Sequence, residues 1–582
     1  MSPITPARRL APAAGLEVVS TPDGLVLATA TGVLRLDGGV AVAVLERLLP
    51  ELERRPTVPE LLVRLRDLPG EELTRIVERL VGAGLISELP SPGEPTPPAW
   101  LSLITSDLAA RQRVAERLSA VRLLLIGQEP VTAVLSRTLA EAGISHFDIL
   151  PPEGLDRDDV ADLVRGRDLV LTVVDPGFAA VRAWVNQAGL AAEVPSLQVS
   201  LEGADARLGP LVLPGEGPCY LCWRMRALAC ADDFDLAMAR EEALDRARAP
   251  LNRPLLPGLV ESAAAVLVRD VLALTTSIGQ PALAAHVITI DALRGSQTTD
   301  TVLTRPDCPA CSKKGRPPAE DPCLSELESE PRRETDFDTI AATAAGELCG
   351  LVRNLDLIPK VLAEPRQPLI VRAEVANVRF AAGDDAFMTC SGKGMDLLGA
   401  RNTALGEALE RYSSLTWKPP RHRRARRDQL DYPSLDPREL VLFAESQYAS
   451  LPFAPYSEES ELDWVPARSL VSDREVWVPL QGATLGSEHT HGRGLLFGPT
   501  SNGFAAGPSL SFAVEHALLE VIERDAFLLA WMHRLETQPY QASTIPDDTT
   551  RSIAELYARR GVRIEVHLLP TDSLATVAMA VA

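Results

Sequence analysis

Two short segments repeat one arrangement of charged side chains, Glu407-Ala-Leu-Glu410-Arg411 and Glu520-Val-Ile-Glu523-Arg524. On a helix, carboxylates three residues apart share a face and repel, which costs roughly 0.2–0.5 kcal/mol even in water. The second pair lies within Ala517–Trp531, a stretch that is apolar around most of a helical circumference, so burial there would raise the cost steeply. A bound cation would relieve it. Carboxylate oxygens without nitrogen or sulfur ligands suit Mg2+, and Mg2+ among acidic side chains is usually held together with substrate phosphates. Upstream, Ser391-Gly392-Lys393-Gly394 reads as a glycine-bearing loop whose lysine could reach phosphate oxygens. It is not a P-loop, which would need glycine in place of Phe387 and Ser or Thr in place of Gly394. An isolated E-x-x-E-R helix is ordinarily a solvated, salt-bridged face. Two copies in one domain, one of them apolar and one preceded by a lysine segment, weigh against that reading.

A second chemistry lies in the cysteines. Cys219 and Cys222 form one C-x-x-C pair and Cys308 and Cys311 another, and both read as knuckle-like turns that would present thiolates tetrahedrally to one Zn2+. Four protein ligands leave the ion no open position, so its role would be structural. The alternatives are reduced cysteines packed together or a redox pair, and no thioredoxin-like strand and helix frames either motif. Cys230, Cys323, Cys349 and Cys390 stand alone, and eight cysteines in 582 residues are too few for a disulfide scaffold.

These groups need elements to hold them. A chain of this length has room for about three or four domains, and 46% hydrophobic with 24% charged residues is the balance of a globular chain, not a disordered one. Within residues 1–90, strand-like stretches at Leu16–Val19, Leu25–Thr29 and Val33–Leu36 precede three helical patterns, an order that suggests a small winged helix. An exposed strand edge in such a module could bind a peptide as an added strand. The proline-rich run from Ser87 to Pro98 reads as a linker. Within residues 100–315, Val121–Ile126, a helical Val131–Ala142, Ile144–Leu150 and Asp168–Val174 predict a parallel α/β sheet. Its first turn, Gly127-Gln-Glu-Pro-Val-Thr, lacks G-x-G-x-x-G, and Glu129 would repel a phosphate. A scaffold that kept the topology without nucleotide chemistry is expected there. A second linker spans about 313–334, and a last α/β domain with an antiparallel flavour spans 336–582.

The formal net charge of −21 argues against a phosphate-backbone partner. The third N-terminal helix carries Glu71, Glu72 and Glu78 against Arg75 and Arg79, a poor match for a DNA groove. The run Arg421–Arg427 is the best support for a DNA-binding regulator, and it reads more readily as a solvated or peptide-facing surface. No apolar run reaches the roughly 18–20 residues needed to span a bilayer, and no signal-peptide pattern opens the chain, so the expected location is the cytoplasm.

Ser391-Gly-Lys-Gly, Ala404–Tyr412, Thr500-Ser-Asn-Gly503 and Ala517–Asp525 together resemble the YcaO family of ATP-dependent enzymes that modify peptide backbones. Residues 1–330 are similar to the partner half of fused azoline cyclodehydratases, with a leader-recognising winged helix and a ThiF-like, zinc-bearing domain that has lost adenylation. The resemblance implies that Ser391 and Lys393 contact ATP phosphates, that Glu407, Glu410, Glu520 and Glu523 hold Mg2+, and that Arg524 binds phosphate. It implies cyclodehydration of Cys, Ser or Thr in a ribosomal precursor peptide to thiazolines or oxazolines through phosphorylation of the backbone amide. No catalytic base is assigned. Two departures stand out. Family members usually carry a further carboxylate about two turns before Glu520, where Phe512 stands, with Glu515 one turn later. The family domain also continues past the apolar run Ala575–Ala582, so the YcaO-type domain reads as incomplete.

The expected partners are therefore a precursor peptide bound through its leader, a separate C-terminal YcaO fragment or an azoline dehydrogenase, and a second copy in a homodimer, with no nucleic acid and no membrane. The main alternative is an inactive leader-binding protein that recruits the precursor to a separate cyclodehydratase. Thioamide or amidine formation is the runner-up within the enzyme class.

Overall fold

The computed structural model describes residues 7–582 apart from 31, 38, 106, 175, 248–253, 313–336, 362–363, 381–386, 418, 420, 441 and 487–494. The linker expected at about 313–334, with Cys323, lies outside the described residues. Two compact units form, Met1–Tyr220 with Ala243–Thr299 and Leu221–Glu242 with Asp300–Ala582.

The first unit opens with β1 (Leu10–Pro12), β2 (Glu17–Thr21), β3 (Gly24–Thr29), β4 (Gly32–Asp37), α1 (Gly39–Leu52), α2 (Val58–Arg64), α3 (Gly70–Gly82) and β5 (Ile86–Glu88). Strands β2, β3 and β4 form an antiparallel sheet, and β1 pairs with β5. The strands-then-helices order read from the sequence is present. The β1–β5 pair was not foreseen, because three residues are too few for an alternation to register. Thr57 and Glu60 start α2 as a reciprocal cap, with the Glu60 N–H donating to Thr57 Oγ1 at 3.4 Å and the Thr57 N–H to Glu60 Oε2 at 3.0 Å. Leu73, Val77 and Leu80, one face of α3, close the core over Leu25, Leu27, Leu45 and Leu48.

The same unit continues through α4 (Leu108–Ala120), β6 (Arg122–Gly127), α5 (Val131–Ala142), β7 (His146–Leu150), α6 (Arg157–Val164), β8 (Leu169–Val173), α7 (Ala179–Ala192), β9 (Ser196–Glu202) and β10 (Asp205–Val212). The chain then passes through α8 (Tyr220–Ala229) and α9 (Phe234–Ala247) to α10 (Leu259–Thr276), β11 (His286–Asp291) and β12 (Ser296–Thr301). The seven-stranded sheet has the order β12-β11-β10-β9-β8-β6-β7. Its β7-β6-β8-β9 portion is parallel, as the sequence predicts. The sheet as a whole is mixed, which corrects that expectation, since β10 runs antiparallel to β9 and β11 to β10. The cause is local: β9 and β10 are joined by Gly203-Ala204 alone, too short for the crossover that a parallel pair requires. Gly203 takes φ +63°, a backbone that L side chains rarely adopt.

At the first βα turn, a Cβ on Gly127 would stand 2.8 Å from the Val173 carbonyl oxygen, so this glycine serves strand packing. The Thr132 hydroxyl donates to Glu129 Oε1 at 2.8 Å. A protein carboxylate therefore stands at the start of α5, where a phosphate would meet repulsion.

The second unit contains α11 (Phe337–Ala344), β13 (Val352–Leu357), β14 (Leu369–Val375), β15 (Met388–Gly394), α12 (Leu397–Thr416), β16 (Arg423–Ala425), β17 (Leu462–Arg468), β18 (Glu475–Pro479), α13 (Leu510–His533), β19 (Gln538–Tyr540), α14 (Asp548–Ala558), β20 (Glu565–Leu569) and β21 (Val577–Val581). The strands make three antiparallel sheets, β13-β14-β15, β16-β17-β18 and β19-β20-β21. Ala400, Ala404, Leu405 and Ala408 of α12 are fully buried with Val371, Ala373 and Val375 of β14.

Candidate functional site

Ser391-Gly392-Lys393-Gly394 is strand, not the loop that its glycines suggest. It closes β15, in register with Ile370 opposite Lys393 and Arg372 opposite Ser391. Side chains alternate along a strand, so Cys390 and Gly392 are buried while Ser391 and Lys393 are exposed on the other face. The reason for the glycines is the helix above them. A Cβ on Gly392 would lie 2.1 Å from Ala404 N and 2.3 Å from Ala400 O, and one on Gly394 would lie 2.3 Å from Ala400 N. Only glycine lets the α12 backbone lie this close to the strand.

That contact sets α12, whose start is capped by Asp396 accepting from the Gly399 N–H at 2.7 Å. It brings Glu407 beside the middle of the strand, where the Ser391 N–H donates to Glu407 Oε2 at 3.4 Å. Arg411 bridges the pair, at 3.3 Å from Glu407 and in direct contact with Glu410. Burial pushes the Glu410 carboxyl above its ordinary range; Arg411 opposes the shift, and Glu520 and Glu407 add to it. Glu520 of α13 thus acts electrostatically on the first acidic pair.

Helix α13 starts at the Ser509 cap, which accepts from the Phe512 N–H at 3.2 Å. The Thr500–Gly503 segment lies against the helix, with Gly503 at φ +86° and its N–H donating to Glu520 Oε2 at 3.2 Å. Arg524 stands 3.6 Å from Glu520. Phe512, where the family's further carboxylate is expected, is stacked on His516 with ring centroids 3.9 Å apart. The expectation that α13 is buried round most of its circumference is corrected: Ala526 and Ala530 are its buried residues, while Leu518, Val521, Leu528 and Trp531 are exposed. Glu523 and Asp525 are exposed as well. The desolvation cost assigned to the second pair falls on the first, at Glu410, because α12 is the helix laid on a sheet.

Among the described residues, the one group of three or more His, Cys, Asp or Glu side chains close enough to share an ion is Cys219, Cys222, Cys308 and Cys311, whose ligand atoms lie within 4.8 Å of one another. The four glutamates are not drawn that close. Cys222 Sγ and Cys311 Sγ are 3.3 Å apart, and the Arg305 N–H donates to Cys222 Sγ at 3.4 Å, a backbone contact that orients the sulfur toward the cluster. The second pair occupies a turn as expected; the first opens α8, which corrects its reading as a turn. This donor set fits a soft or borderline metal ion. Cys230, Cys349 and Cys390 differ, since burial pushes each thiol up to about 12, and they pack as neutral groups.

The arginine run Arg421–Arg427 is matched by acidic side chains. Arg424 stands 3.2 Å from Asp463, Arg426 3.1 Å from Glu459, Arg427 2.7 Å from Asp436, and Arg421 contacts Glu475. A charge compensated in this way has little counterion release to offer a nucleic acid. No helix among the described residues is long and apolar enough to cross a membrane.

Fold and site together define a multidomain α/β protein with a four-thiol cluster and two acidic helices. Residues 391–582 match the family model of YcaO cyclodehydratases, described as ATP- and Mg2+-binding. The chain therefore carries a YcaO domain, and over nearly its whole length its fold is that of a heterocyclase. A heterocyclase solved in complex with substrate and cofactor superposes with TM-score 0.71 at 19% identity, over 96% of this chain and 76% of that one. The heterocyclase TruD superposes with TM-score 0.66 at 18% identity, over 98% and 80%. An uncharacterized protein of Methanothermobacter thermautotrophicus is 32% identical over 202 residues, 34% of this chain and 50% of that protein. The chain thus spans half the length of this curated relative.

Sequence reasoning gave no role to Arg411, to the Gly503 N–H, or to Arg226 and Tyr412, which meet through a hydrogen bond of 3.2 Å. The spacing of Arg411 from Glu407 at i,i+4 is the signal that could have found the first. The others depend on contacts between distant segments.

Proposed function

We propose that the chain is an ATP-dependent peptide cyclodehydratase that converts Cys, Ser or Thr residues of a ribosomal precursor peptide to thiazolines or oxazolines. The observation that supports this most is that, within the matched domain, each acidic helix meets a glycine-bearing segment of the motif: Glu407 of α12 accepts from the Ser391 N–H at 3.4 Å and Glu520 of α13 from the Gly503 N–H at 3.2 Å. Glu407, Glu410, Glu520 and Glu523 are assigned to Mg2+, Ser391 and Lys393 to ATP phosphates, and Arg524 to a phosphate oxygen. The ligand set fits, being carboxylate oxygens, with Glu407 and Glu520 each steadied by a backbone N–H, from Ser391 and Gly503. Mg2+ would neutralise charge on the triphosphate. The chain's own residues then bind and orient. Lys393 and Arg524 draw the γ-phosphoryl group toward the peptide, and Arg411 keeps the α12 carboxylates in place.

In the reaction the substrate thiol or hydroxyl loses its proton and adds to the preceding amide carbonyl. The oxyanion so formed takes the γ-phosphoryl group with departure of ADP. Loss of phosphate with the amide proton then leaves the C=N bond of the azoline ring. The cysteine cluster is assigned to structural Zn2+. Residues 1–90 are assigned to the leader, which would add a strand to an exposed sheet edge such as β2, where Val18 and Val19 are exposed.

One observation favours the recruiting-protein reading: the four glutamates are not drawn together as closely as the cysteines. Incubating the full chain with ATP, Mg2+ and candidate precursors, and following each by mass spectrometry, separates the two. Loss of one water mass per ring supports the enzyme. Leader binding without ATP turnover or mass loss supports recruitment.

A further inference from the structure

We propose that Arg226 and Tyr412 form a positioning clamp through which metal at the cysteine cluster sets the affinity for ATP. The inference rests on the assignment of α12 to nucleotide binding. Arg226 lies on α8 one helical turn after Cys222, so the two share a face. The residue is 3% exposed, and its guanidinium is spread over three neutral oxygens. Nε donates to the Leu303 carbonyl at 2.6 Å, Nη2 to the Thr304 carbonyl at 3.3 Å, and Nη1 to the Tyr412 hydroxyl at 3.2 Å. Leu303 and Thr304 run directly into Arg305, whose N–H donates to Cys222 Sγ, and onward to Cys308 and Cys311. One buried cation therefore ties together the helix carrying Cys222, the segment carrying the other cysteine pair, and α12.

The third tie is the one that reaches the acidic pair. Tyr412 is 8% exposed and lies on the buried face of α12 with Ala404, Leu405 and Ala408. Its immediate neighbour Arg411 bridges Glu407 and Glu410. The rotation of α12 about its own axis decides where those carboxylates stand, and the Tyr412 hydroxyl fixes that rotation from below. A buried guanidinium tolerates no loose partner, because each donor left unpaired carries its full desolvation cost. A metal ion that draws Cys222 toward Cys308 and Cys311 holds two arms of Arg226, and the third arm passes the constraint to α12.

The test is a cycle of Tyr412→Phe and metal removal in the full chain, read as ATP affinity by calorimetry with Mg2+ present and precursor absent. Phenylalanine keeps the ring packing and removes the one hydroxyl. ATP affinity should fall roughly fivefold in Tyr412→Phe, with the cysteine-bound metal still stoichiometric and thermal unfolding still cooperative. Stripping the metal from the wild-type chain should weaken ATP binding by a similar factor, and stripping it from Tyr412→Phe should add little, since both break one path. Independent, multiplying losses, or wild-type affinity in Tyr412→Phe, would overturn the clamp. Should metal removal unfold the chain, Arg226→Lys replaces it in the cycle, with the same expectation of non-additivity. A wild-type chain that binds no ATP would instead overturn the functional assignment itself.

Discussion

Replacing Gly392 by alanine isolates the contact on which the acidic helix depends. The added Cβ would stand 2.1 Å from Ala404 N, 2.3 Å from Ala400 O and 2.7 Å from Ala404 Cα, where 3.4 Å is the start of ordinary contact. All three atoms are backbone, so no side chain can swing aside, and β15 and α12 must part by about 1.3 Å at this point. Ala400, Ala404, Leu405 and Ala408 are fully buried along the same seam, so the separation opens packing over two helical turns. Overpacking of this kind costs about 3 kcal/mol, which for a unit of this size lowers Tm by roughly 5 °C. Gly406 supplies the control on the same helix. A Cβ there meets nothing within 4 Å, so Gly406→Ala should raise stability by about 0.5–1 kcal/mol through helix propensity. Thermal unfolding followed by circular dichroism, with ATP binding measured beside it, checks both. If Gly392→Ala unfolds at the wild-type temperature, the close strand–helix seam is wrong, and the segment is free to act as the loop its composition suggests.

Three further outcomes are expected. Metal analysis of protein purified without chelator should give one tightly held ion per chain, and Cys219→Ala with Cys311→Ala should abolish it. Glu410 has its carboxyl raised above the unfolded value by burial, so the folded state gains relative stability as pH falls through the folded pKa, and that gain is lost as pH rises again. Glu410→Gln should remove this component and flatten the unfolding-temperature profile on the acidic side of neutrality; an unchanged profile would mean that Glu410 does not carry it. In Glu520→Gln and Glu523→Gln, ATP affinity should fall by about tenfold or more while apo stability holds or rises slightly. Calorimetry that shows wild-type affinity in both would remove these residues from the site.

Much of the architecture was legible because it rests on local patterns. The apolar run Val121–Ile126 has the length and β-branched ends of a buried strand, and the i,i+3 carboxylates of Glu407 and Glu410 share a face once their segment is helical. The paired cysteines were legible for a similar reason, since two short spacings survive any length of intervening chain. What the sequence hid was each element's partner. Gly392 and Gly394 read as loop residues because glycine usually marks a turn, and their actual role appears only when α12 lies over them. The two-residue link Gly203-Ala204 is the local signal for an antiparallel β10, and it becomes readable only once β9 and β10 have been located on either side of it. In α13 the apolar residues around Glu520 suggested enclosure, but Leu518, Val521 and Trp531 are exposed, because composition reports what a helix would bury and not what stands beside it.

That distinction bears on how the site is built. The two E-x-x-E-R segments look equivalent in sequence, but their surroundings make them unequal. Glu410 is held in a half-buried position on a helix locked to a sheet, with Arg411 against it. Glu520 is more open and is held by the Gly503 N–H, while Glu523 is exposed. A carboxylate already raised by burial gains most from a cation, since the ion cancels both the desolvation and the repulsion from Glu407 and Glu520. A solvated one gains less and adapts its position at lower cost. In the proposed enzyme, the rigid pair on α12 would therefore be the half that fixes where charge on a triphosphate must go, and the pair on α13 the half that adjusts to meet it.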